Sequence, residues 1–364
     1  MSRKLSYDTW LFGAAMLILV VGMVMIYSAS AMIATQRFGH GPYYFLTRQG
    51  IFLIAGALLM IALMHVNPAL LQDRRVVYGG MALVALGLIV ALFQSPINGT
   101  HRWIVLPWFQ IQPSELAKPA TVLFIALFLA RREGRINELT TTLLPLGFIL
   151  ALFAGLILLG RDFGTAIVLM AVAAGMVFAA GLAWRYVAGV ALALLPAAAY
   201  FVWKDAYRLD RVLSFLNPEA DPQGKSFQAL QSLIALGTGG VEGLGIGNGR
   251  QKLFFLPEPH TDFIFSIIGE ELGFIGAIAL IGAFAFLVWR GYRIAQYSQD
   301  RFVFYAALGC TLMFAIQALI NVSVALCLLP TKGLPLPLVS YGGSSLLASL
   351  IAIGLLLNFS QQSG

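Results

Sequence analysis

Apolar runs of about twenty residues recur from one end of this chain to the other, and they fix its solvent before anything else is read. Their cores lie near Leu11–Ala31, Ile51–His65, Val77–Phe93, Leu116–Ala130, Leu143–Leu159, Gly164–Ala180, Tyr186–Val202, Phe263–Val288, Phe302–Leu329 and Ser345–Asn358. A helix of about 20 residues crosses a hydrocarbon core of ~30 Å. Inside lipid the backbone has no water to bond, so such runs must be helical. The alternative is a soluble protein with an implausibly large core, and composition excludes it. The chain is 59% hydrophobic and 11% charged, against about 25% charged residues in a soluble domain. The predicted fold is an all-α integral membrane protein of about ten transmembrane helices, a single polytopic domain over residues 1–364.

Basic residues orient it. With the N-terminus inside, the inner segments hold Arg3, Lys4, Arg74, Arg75, Arg131, Arg132, Arg135, Arg185, Arg290, Arg293 and Arg301. The short outer loops hold Arg37, Arg48, Arg102, Arg161 and Lys332. An even number of spans then returns the C-terminus to the inside. The first run follows basic residues but is long for a leader and lacks a cleavage site, so it is expected to stay as a span. Cys310 and Cys327 share one apolar run and imply no disulfide framework.

Between helices 7 and 8 the sequence predicts a long extracytoplasmic loop, about residues 203–262. Loops of that length are functional or disordered, and long loops cross regardless of charge. Phe227, Leu230, Leu233 and Ile234 have helix-like spacing, so part of the loop is expected along the membrane surface. Glycines from Gly237 to Gly249 follow no strand, which argues against a nucleotide loop and for close backbone approach.

Three polar clusters share the outer face. The first runs through Arg102-Trp103 to Gln112-Pro-Ser-Glu115-Leu-Ala-Lys118, where Glu115 and Lys118 fall on one helix face. An ion pair that only holds the helix is the alternative reading there. The second ends in His260-Thr261-Asp262, the last charge before a long apolar run that then carries Glu270 and Glu271. An ionisable group at the mouth of a membrane helix is a functional hypothesis by default, although Asp262 also stands where a helix N-cap would. The third, Leu329-Pro-Thr-Lys332 to Ser340-Tyr-Gly-Gly-Ser344, carries three prolines and reads as a re-entrant turn. Cations, hydroxyls and amides suit a phosphate-bearing ligand, and an acid among them suits a general base. The natural ligand on this face is a lipid-linked diphosphate sugar.

These motifs resemble the SEDS family (shape, elongation, division and sporulation) over nearly the whole chain. The marks are Tyr27-Ser-Ala-Ser30, Arg102-Trp-Ile104, Gln112–Lys118, Asp162-Phe-Gly164, Gln228 with Gln231-Ser232, Leu256-Pro-Glu-Pro-His-Thr-Asp-Phe-Ile-Phe265, Glu270-Glu271-Leu-Gly273 and Ser340-Tyr-Gly-Gly-Ser-Ser345. Thr331-Lys332-Gly-Leu-Pro-Leu-Pro337 favours the division branch over the elongation branch, although Pro335 falls where division members often have Thr. Arg161 stands where the family usually has Pro.

The resemblance implies a peptidoglycan glycosyltransferase of the bacterial inner membrane. It would polymerise lipid II outside, releasing undecaprenyl diphosphate, beside a class B penicillin-binding protein and divisome proteins. Asp262 falls at the family's catalytic aspartate. Arg102, Glu115, Lys118, Arg208, Arg211, His260, Thr261, Lys332, Ser340 and Ser344 are the expected substrate-binding residues, and Mg or Mn is a conceivable assistant. A lipid II flippase, a scaffold for the transpeptidase, or an elongation polymerase are the competing expectations.

Overall fold

The computed structural model describes residues 7–189, 192, 203–204, 227–330 and 333–362, except 98, 108 and 254. Its helices are α1 (Thr9–Gln36), α2 (Tyr44–His65), the single turn α3 (Pro68–Leu71), α4 (Arg74–Leu92), α5 (Pro113–Ala130), α6 (Leu144–Leu159), α7 (Phe163–Ala179), α8 (Phe227–Gly239), α9 (Ile264–Tyr297), α10 (Arg301–Ala325) and α11 (Gly343–Ser360). A two-stranded ribbon, β1 (Ile104–Val105) with β2 (Gln110–Ile111), precedes α5.

Eight described helical segments are long and apolar enough to cross a membrane, and α7 is a shorter apolar helix. The protein is therefore multi-pass and helical. A further helix begins at 184–189, where the seventh span is expected, and most of that span lies outside the described residues. So do the expected contacts of Arg208, Arg211 and Lys332.

Short polar side chains start these helices in spite of the apolar setting. Asp8, Asp73, Asp162 and Asp300 each accept a hydrogen bond from a first-turn backbone N–H. Each satisfies a donor that has no intrahelical partner. The polar triplet Gly160-Arg161-Asp162 makes the expected tight turn between α6 and α7.

Burial sorts the bundle into a centre and a rim. α11 and α5 are 83% and 78% buried, whereas α2 and α4 are 17% and 22% buried, which leaves their leucines and isoleucines to lipid. α11 packs on α2, α10 on both α9 and α5, and α1 on α9.

Two segments add to expectation. α8, in the long loop, packs on α9 and buries Ser232, Ala235 and Gly239. The Ser232 hydroxyl bonds Ser266 of α9 at 2.6 Å and donates to the Ala325 carbonyl at 2.7 Å. The second is α9 itself, which breaks at Gly273 with φ 68°. There the chain from Gly240 to Gly245 inserts against it. Phe274 and Ile275 donate to the carbonyls of Gly240 and Val241, while Leu244 and Gly245 donate to those of Glu270 and Glu271. A Cβ on Gly243 or Gly273 would collide with the opposing backbone. These glycines permit the close approach that the sequence suggested.

Candidate active site

Three consecutive carbonyls are held at the entrance to α9. The Tyr341 N–H donates to His260 O at 2.9 Å. The Ser340 hydroxyl donates to Thr261 O. The Asn321 amide donates to Asp262 O at 3.0 Å and to Leu334 O at 2.7 Å. The re-entrant segment 333–342 and helix α10 thus fix the backbone of 260–262 from two sides. Irregular backbone at this depth is tolerated only where protein satisfies its polar groups, and here it is satisfied by name. Gln317 of α10 donates to Pro335 O at 2.8 Å, Ser340 accepts from Leu336 N at 2.7 Å, and Gln49 accepts from Gly342 N at 3.1 Å.

With its backbone pinned, the Asp262 side chain is left over. It is partly buried, and among the described residues no donor bonds its carboxylate. It does not cap the helix: Phe263 takes the cap position, with no side-chain bond. Burial and the charge of Glu258 push its pKa up to about 6, while Arg102 pulls it back. The Gly333 backbone passes so close that a Cβ there would lie 3.3 Å from Oδ2. This is a carboxylate held in place, raised in basicity and without a partner among the described residues, a condition that suits a general base.

Arg102 is the cation described beside it. It is 29% exposed and forms a 4.0 Å ion pair with the buried Asp162. It stands 5.8 Å from the Trp103 ring, and its buried Nε has no acceptor among the described residues. Asp162 is itself held by Gln112 at 2.7 Å and Ser114 at 2.6 Å, and it caps α7 through Thr165 N. Arg161, at φ 63°, sends its guanidinium to Gly99 O at 3.0 Å. The extra cation of this turn is thus occupied by the neighbouring loop.

Other expected ligands are engaged within the fold. Glu115 and Lys118 pair at 2.8 Å, each 2% exposed, and Lys118 also donates to Gln317 at 2.7 Å. Gln317 in turn holds Pro335, so the pair forms a floor beneath the re-entrant segment and Lys118 is committed there. Ser344 accepts from Gln112 N at 2.8 Å, and both hydrogen bonds of Ser340 are internal. The Thr261 hydroxyl turns to Glu258 O at 3.2 Å. The His260 ring is buried, 4.6 Å from Phe45 and 5.6 Å from Tyr341. Burial, with the charge of Arg37, lowers its pKa to about 4, so it is neutral and packs as an aromatic. These residues are bonded or packed within the fold, whereas the Asp262 carboxylate has no donor among the described residues.

Sequence reasoning passed over Gln317 and Asn321. Two amides four residues apart in the 25-residue apolar α10 are the signal that was available, because polar groups inside a membrane helix need partners. It also passed over Lys252 and Ser28. Glu271 accepts from Lys252 at 2.6 Å, from Ser28 at 2.6 Å and from Gly247 N at 2.9 Å, and Glu270 accepts from Arg250 N at 2.7 Å. The two glutamates therefore anchor the chain 244–252 rather than facing the site.

Comparison with known proteins agrees with this architecture. The FtsW/RodA/SpoVE family, described as cell cycle protein, matches residues 8–364. A probable peptidoglycan glycosyltransferase FtsW of Trichlorobacter lovleyi is 44% identical over 359 residues, 98% of this chain and 94% of that protein. One from Legionella pneumophila is 39% identical over 368 residues, covering 100% and 93%. Among solved structures, a chain from a study of polymerization and crosslinking by a peptidoglycan synthase complex superposes with TM-score 0.81 at 31% identity, covering 98% of each chain. The rod shape determining protein RodA of Thermus thermophilus gives 0.72 at 29%, covering 99% and 98%. A match over almost the whole length, joined to this arrangement of helices, means that the chain belongs to the FtsW/RodA/SpoVE family of cell cycle proteins, the SEDS family.

Proposed function

We propose that this protein is a peptidoglycan glycosyltransferase that polymerises lipid II in septal synthesis, with Asp262 as its general base. The observation that carries the catalytic assignment is the Asp262 carboxylate: backbone pinned on three successive carbonyls, pKa near 6, and no hydrogen-bond donor among the described residues. The glycosyltransferase activity is supported by the names of full-length relatives.

The acceptor hydroxyl gives its proton to Asp262 while its oxygen forms a bond to the anomeric carbon of the donor. The bond from that carbon to the diphosphate breaks, and undecaprenyl diphosphate leaves with the electron pair, inverting the centre. A diphosphate leaves without a second protonated carboxyl, unlike the leaving group of a glycosidase. It needs charge stabilisation, for which the part-exposed guanidinium of Arg102 is a candidate. Arg208, Arg211 and Lys332 remain candidates for the same work. Among the described residues no group of three or more His, Cys, Asp or Glu could hold a metal ion.

The bias of Lys and Arg supports both termini in the cytoplasm and the site on the outer face of the inner membrane. The likeness to a chain from a polymerization and crosslinking complex supports a class B penicillin-binding protein as partner. The deciding experiment gives labelled lipid II to the purified protein with that partner, beside Asp262→Asn. Loss of about 10²–10⁴ in rate with lipid II binding retained is expected. Undiminished polymer from the variant would remove Asp262 from the role.

A further inference from the structure

At the end of the bundle opposite Asp262, three helix ends enclose a cleft of about 320 Å³. Tyr7, Asp8, Thr9 and Trp10 line it from the start of α1, and Arg290, Arg293, Ile294 and Tyr297 from the end of α9, with Ser360 of α11. The charges do not balance. Asp8 accepts from Arg290 through Oδ2 at 2.6 and 3.0 Å, and its Oδ1 caps Leu11 N at 2.9 Å. Asp8 and Arg290 thereby neutralise one another. Arg293 is surplus. It has no carboxylate partner among the described residues, and its guanidinium is held 5.4 Å from the Trp289 ring and 5.2 Å from Tyr297.

The depth of the cleft is marked by aromatics, Trp10 and Tyr297 in its lining and Trp289 beside it against Arg293. Trp10 and Trp289 are 67% and 48% exposed, and Tyr297 is 59% exposed. Amphipathic rings of this kind collect at headgroup level. A cation at that level, fixed between rings in a cavity bordered by lipid-facing helix, matches one monoanion joined to acyl chains. We propose that this cleft binds the phosphodiester of an anionic phospholipid, with Arg293 contacting the phosphate and Trp10 and Trp289 lying along the glycerol and upper chains. An ordinary orienting arginine would need neither the cavity nor the two rings. The inference does not depend on the glycosyltransferase reading, since its readout is lipid retention.

The test is native mass spectrometry of the full-length protein in detergent, with phosphatidylglycerol, phosphatidylcholine or inorganic phosphate added. We expect one phosphatidylglycerol to be retained about fivefold more strongly than phosphatidylcholine. Arg293→Gln should abolish that preference, and Arg293→Lys should keep part of it. Arg301→Gln, which removes an equal charge from the Glu133 ion pair on the same end, should leave it intact. Thermal unfolding of each variant reports whether the fold is kept. Equal retention of the two lipids, or equal loss in the Arg301 variant, would overturn the proposal. So would displacement of the lipid by millimolar inorganic phosphate, which would assign the cleft to a free anion.

Discussion

A single carboxylate sets the pH behaviour of the site. Asp262 must be ionised to act as a base, so polymerisation should rise as pH passes upward through about 6. Its neighbours should move that limb in opposite senses. Arg102 lowers the pKa, so Arg102→Gln should shift the limb to higher pH. Glu258 raises it, so Glu258→Gln should shift the limb lower; pH–rate profiles of the two variants read both. Stability runs the opposite way. A carboxyl whose folded pKa is raised costs stability as pH climbs from the unfolded value, near 4, to the folded one, and the cost stays in full above it. Asp262→Asn should therefore unfold at a temperature no lower than the native protein at pH 7, while losing activity. A variant that lost both together would point to a structural role instead. The residue was legible in the sequence as the last charge before a span. That it neither caps α9 nor meets a donor among the described residues was not, because that depends on which groups α10 and the re-entrant segment bring to its backbone.

Among the elements, α10 and the re-entrant segment act as one unit. Asn321 and Gln317 reach three carbonyls from an otherwise apolar helix. Asn321→Leu leaves two acceptors without their donor, at about 1–3 kcal/mol each. We expect a lower unfolding temperature in micelles and a fall in polymerisation larger than the change in lipid II affinity, since the carboxylate loses its placement. The broken helix α9 makes a second test. Gly273→Ala meets both a positive φ and the opposing backbone of Gly243, and should cost at least the 1–3 kcal/mol of local strain. An unchanged melting profile would mean that the break is absent in the membrane. Periodicity finds such a helix but not its break, which is decided by a loop about thirty residues upstream.

Across the whole molecule, buried polar links tie distant parts of the chain together. Lys252, Ser28 and Glu271 join the long loop, α1 and α9 in one cluster whose ionised partners are 5% and 0% exposed. Lys252→Met strands the Glu271 charge, which should destabilise the protein by about 3–5 kcal/mol. The double variant Lys252→Met with Glu271→Gln should recover part of that loss in a thermal-unfolding cycle, because the uncompensated charge is gone. The sequence by itself determined the solvent, the helical class, most spans and the acid at the mouth. Those follow from the length of apolar runs and the cost of placing charge in lipid, which are local properties of the chain. Only the tertiary structure decided which polar groups find hydrogen-bond partners within the fold and which, among the described residues, do not. Lys118, Ser340 and Ser344 look like ligands in one dimension, yet each is satisfied by a partner far away in sequence. Asp262 is distinguished by having no such partner among the described residues. Hydrogen-bond satisfaction is a property of neighbours in space, and no linear spacing encodes it.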